Sequence, residues 1–170
     1  MLFHSAEDPR LAEMAFRTVQ NSAPMSAPLT AASIAVGSPL VLDLTPASIP
    51  NTDGTLGQNY VTKPSATITA IANNLFIGAL ARVPGKVSYL AGEGVGLCQV
   101  YGPMLNALVR REVAGVPAGT VLVPSDIGFM VPGTGAAPAP GVGGMAVLIE
   151  ALASSAATEI TQGKVFLRCM

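Results

Sequence analysis

The chain contains a single histidine, His4, and no tryptophan. One imidazole leaves a Ser-His-Asp or Cys-His relay only one base to draw on. His4 stands before the first patterned segment and reads as a peripheral polar residue. Cysteine is scarce as well, with only Cys98 and Cys169. They lie far apart, form neither a CxxC pair nor a zinc half-site, and read as reduced structural thiols. Charge is low: 11% of residues are charged, against roughly 25% in an average soluble protein. A monomer wetted on all sides usually carries more, so the deficit suggests a surface covered by other subunits.

The nine basic residues are scattered, with only Arg110 and Arg111 adjacent, and the net charge is −1. Phosphate binding usually needs a basic patch or stripe, so no nucleic-acid partner is expected. No apolar run reaches the roughly 18 residues of a membrane helix, because 18 Gly and 14 Pro interrupt every stretch. Glu7 and Asp8 fall where a signal peptide needs a basic and then apolar start, so synthesis in the cytoplasm is expected.

The acids are isolated too. Asp43, Asp53, Glu93, Glu112, Asp126, Glu150 and Glu159 show no DxD or ExxE spacing. Glu150 interrupts an apolar run and is expected to face outward or pair with an arginine, since strands alternate faces. Gly92-Glu-Gly-Val-Gly96 fits neither GxGxxG nor GxxxxGK[ST], and a strand-like run follows it where a phosphate loop needs a helix. Gly141-Val-Gly-Gly144 likewise leads into a strand-like run. These glycines read as turns, bulges or close packing. Phe76, Tyr89, Tyr101, Phe129 and Phe166 sit inside apolar runs and read as core. No catalytic, cofactor-binding or metal-binding residue is nominated, and the chain reads as a non-enzyme.

What is present divides the chain. Asp8-Pro9 offers an N-cap and a first helical residue, and Leu11, Met14, Ala15 and Thr18 follow at helical spacing, predicting a short helix over 9–20. From Asn21 to Gln58, Pro24, Pro28, Pro39, Pro46 and Pro50 punctuate an Ala/Ser/Thr-rich stretch. Its apolar dashes, Ser33-Ile-Ala-Val36 and Pro39-Leu-Val-Leu-Asp-Leu44, read as short edge strands in an extended arm. Low charge favours a neighbouring subunit as the surface on which it lies. Residues 1–58 are thus read as helix and arm, and 59–170 as a β-rich domain.

Strand-like runs in the second part are Tyr60–Lys63, Asn74–Leu80, Lys86–Leu90, Gly94–Tyr101, Met104–Val109, Thr120–Val123, Ile127–Met130, Met145–Leu152 and Lys164–Cys169. A Gly102-Pro103 break separates the fourth from the fifth. Pro132–Gly144 is read as a loop. Short β runs between turn residues predict a mainly β fold, a small barrel or sandwich.

The order of Tyr60-Val-Thr-Lys-Pro64, Gly94-Val-Gly-Leu-Cys-Gln-Val-Tyr-Gly102 with Ala107-Leu-Val109, Val116-Pro-Ala-Gly-Thr-Val-Leu122 with Phe129, Gly144-Met-Ala-Val-Leu-Ile-Glu-Ala-Leu152 and Lys164-Val-Phe-Leu-Arg168 resembles the cement, or head decoration, proteins of tailed-phage capsids. The likeness spans residues 59–170; the longer segment before it is not carried over. It implies a small β-barrel or sandwich on the outside of a virion capsid. Its partners would be the major capsid protein and neighbouring copies of itself, a trimer suiting threefold positions. It brings no cofactor or active site. The alternatives are a self-assembling major shell or tail-tube component, a receptor- or glycan-binding head protein presenting the Pro132–Gly144 loop, and a small metal hydrolase using Asp126 or Glu93.

Overall fold

The computed structural model describes residues 15–22, 33–43, 60–66, 75–86, 88–92, 94–132, 146–156 and 158–168. Among these, eleven strands carry the fold: β1 (Ala15–Asn21), β2 (Ile34–Ala35), β3 (Pro39–Leu42), β4 (Tyr60–Thr62), β5 (Phe76–Arg82), β6 (Tyr89–Leu90), β7 (Val95–Arg110), β8 (Val121–Ser125), β9 (Gly128–Met130), β10 (Ala146–Leu148) and β11 (Ile160–Arg168). Nine of them form one mixed sheet in the order β1-β4-β3-β5-β7-β11-β10-β8-β9, and β2 pairs with β6 alone. The mainly β expectation holds.

Further pairings of β1 and of β9 with β7 close this sheet on itself twice. One circuit runs β1-β4-β3-β5 and returns to the first half of β7; the other runs β11-β10-β8-β9 and returns to its second half. Each circuit has a core. Val19, Ile34, Leu40, Val61, Ile77, Leu80, Leu90 and Cys98 fill the first. Met104, Ala107, Val109, Leu122, Phe129, Leu148, Val165 and Leu167 fill the second, joined by Val41, Phe76 and Ala79. Strands β3 and β5 therefore supply one face to each core. That explains why they read as continuous apolar runs where one-sided strands alternate. Edge-to-face contact of Phe76 with Phe129, centroids 5.9 Å apart, ties β5 to the second core.

Three expectations change. Residues 15–20 are strand, not the second half of a helix; 9–14 lie outside the described residues. Antiparallel pairing with β7 satisfies the backbone of β1, and alternation buries Val19 and Asn21 while Thr18 stays exposed. A tertiary partner overrides a weak helical pattern. The described parts of the expected arm lie on the chain's own core, not a neighbour's: Leu40 is fully buried, and β3 pairs with both β4 and β5. Finally, Gly102-Pro103 does not end a strand, since β7 runs 16 residues through it.

Gln99 shows how that passage is stabilised. Gly102 has φ +96°, which suits glycine, and Pro103 has no N–H to give. The Gln99 side chain is 4% exposed, and its Nε2 donates to the carbonyls of Pro103 at 2.8 Å and Tyr101 at 3.3 Å. Gln99→Leu removes both bonds and should lower stability by about 1 kcal/mol, the net worth of such a bond where its acceptors are only partly buried. A urea midpoint lowered with unchanged slope is the expected reading; an unmoved midpoint refutes this role.

Candidate functional surface

The residues weighed for chemistry do not converge. Asp126 sits in the two-residue turn between β8 and β9, where Ser125 Oγ contacts its Oδ1 at 3.4 Å and receives the Ile127 N–H at 3.3 Å. That arrangement shapes the turn. Glu150 is exposed and pairs with Lys164 Nζ, 2.6 Å away, so it faces outward as expected, with lysine in place of arginine. Glu159 pairs with Arg111 at 3.4 Å, and Glu112 lies 4.0 Å from Arg110. His4, Asp53, Glu93, Cys169 and residues 133–144 of the expected loop lie outside the described residues. Cys98 is buried, its Sγ facing the Ile77 and Gln99 carbonyls. Among the described residues no cluster of His, Cys, Asp and Glu could hold a metal, and no helix is long and apolar enough to cross a membrane.

The glycines near Gly92 serve packing. The Gly94 N–H closes a turn onto the Ala91 carbonyl, and a Cβ on Gly96 would stand 2.8 Å from Leu80 Cδ1. Arg111 likewise builds structure: its guanidinium donates to the carbonyls of Ala153 and Ser154, at 3.1 and 2.9 Å, holding the chain between β10 and β11.

What the described surface does present is apolar. Val121 on β8 stands beside Val147 on β10, Val147 beside Phe166 on β11, and Phe166 beside Pro103 on β7. Their sequence neighbours Leu122, Ala146, Leu148, Val165, Leu167 and Met104 point into the second core, so these four point outward. At the usual strand spacing the row spans about 14 Å. Tyr101 packs edge-to-face on Phe166 with centroids 5.2 Å apart. Tyr101 is 45% exposed and Leu105 67%.

No family model matches the chain, and no curated protein matches its sequence.

Sequence reading assigned all five aromatics above to the core. Only Phe76 and Phe129 are buried there; Tyr89 and Tyr101 are exposed and Phe166 is half-buried. An apolar run does not say which of its alternate residues face inward. The signal that finds this surface is cross-strand register, which needs the pairing of β7, β11, β10 and β8.

Proposed function

We propose that this chain is a structural virion protein, a decoration or cement protein that binds the outer surface of a phage capsid and stabilises the shell by bridging subunits. The observation that carries this reading is the apolar character of its described exterior. Nine large hydrophobic side chains, from Tyr89 at 41% to Leu105 at 67%, are exposed although both cores are filled. Scattered exposed hydrophobics are ordinary, whereas a contiguous patch marks an interaction site. With few charges to keep it wet, such a surface is adhesive. Burial contributes about 25 cal/mol per Å² before ordering costs, and many copies on a symmetric shell act together. The order of sequence fragments that resembles capsid cement proteins supports the same reading, as does a body read as small β-barrels built around β7. The major capsid protein and neighbouring copies are the proposed partners, and the capsid exterior the proposed location.

Sedimentation tests the proposal. Alone, the purified chain should run as a small oligomer. Mixed with capsid shells stripped of it, the chain should pellet with them saturably. Tubes or closed shells formed by the chain alone favour the self-assembling alternative, and glycan binding without shell binding favours a receptor-binding head protein.

A further inference from the structure

We draw no further inference here: the strongest candidate, the outward apolar patch that Val121, Val147, Phe166 and Pro103 form across β8, β10, β11 and β7, carries nothing because nothing in the structure shows what covers it.

Discussion

Replacing Gly37 with alanine is expected to lower the stability of the protein by about 3 kcal/mol or more, whereas the same change at Gly119 should cost about 1–2 kcal/mol. Both glycines have positive φ, +95° and +83°, so both substitutions carry the left-handed penalty. They differ in surroundings. A Cβ on Gly37 would stand 2.3 Å from the Asn106 carbonyl oxygen and 3.0 Å from the Leu108 nitrogen, while one on Gly119 meets nothing within 4 Å. Backbone cannot step aside there, because Gly37 holds the two circuits together. Its N–H donates to the Leu80 carbonyl at 2.7 Å, and its carbonyl accepts from the Leu108 N–H at 2.9 Å. Relieving the overlap breaks one of these bonds or displaces β5 from β7. A domain of this size loses roughly 2–4 °C in melting temperature per kcal/mol. A drop of about 10 °C for Gly37→Ala beside a few degrees for Gly119→Ala is therefore predicted, and equal drops contradict the packing account.

Deleting residues 1–58 should leave no folded body. The deletion removes β1, β2 and β3 together. Val19, Ile34, Leu40 and Val41 leave the cores, each at most 2% exposed in the intact chain. Burying one such side chain contributes about 1.5–3 kcal/mol, so the loss approaches the whole 5–15 kcal/mol stability of an ordinary domain. Removal of β3 also strips partners from β4 and β5, and removal of β1 opens one edge of β7. Unpaired strand edges beside exposed core invite aggregation. The expected product is insoluble or lacks a cooperative transition in circular dichroism. A soluble fragment with a sharp melt shows instead that residues 59–170 fold alone.

The two halves of the fold differ in how much the sequence disclosed. The second circuit was largely legible, because β8, β9 and β11 keep their apolar residues in short runs bounded by turn residues. Ser125 to Gly128 even reads as a tight hairpin once the pairing is known. In the first circuit the runs that become β3, β4 and β5 read as strands, but their places in the sheet did not show. Prolines between residues 21 and 58 suggested an arm, yet the chain between them returns to supply β3 to the interior of the sheet. Proline density reports backbone preference and says nothing about where a short apolar dash docks. For β1, helical spacing from Leu11 onward competed with a strand whose worth lies in pairing with β7, a partner some 80 positions away in sequence. Pro103 looked like a strand end because local rules forbid it a ladder donor. Gln99, four residues earlier, donates to the carbonyl of Pro103 itself and to that of Tyr101. The outward row is a further case, since its four residues come from four separate runs and only register makes them neighbours.

The claim that this chain decorates a capsid is tested most directly by counting its copies on purified virions. Quantitative mass spectrometry of intact particles, with the major capsid protein as internal standard, gives that number. The account predicts hundreds of copies per particle, accessible to surface labelling. Absence from particles, or a handful of copies buried inside them, contradicts it.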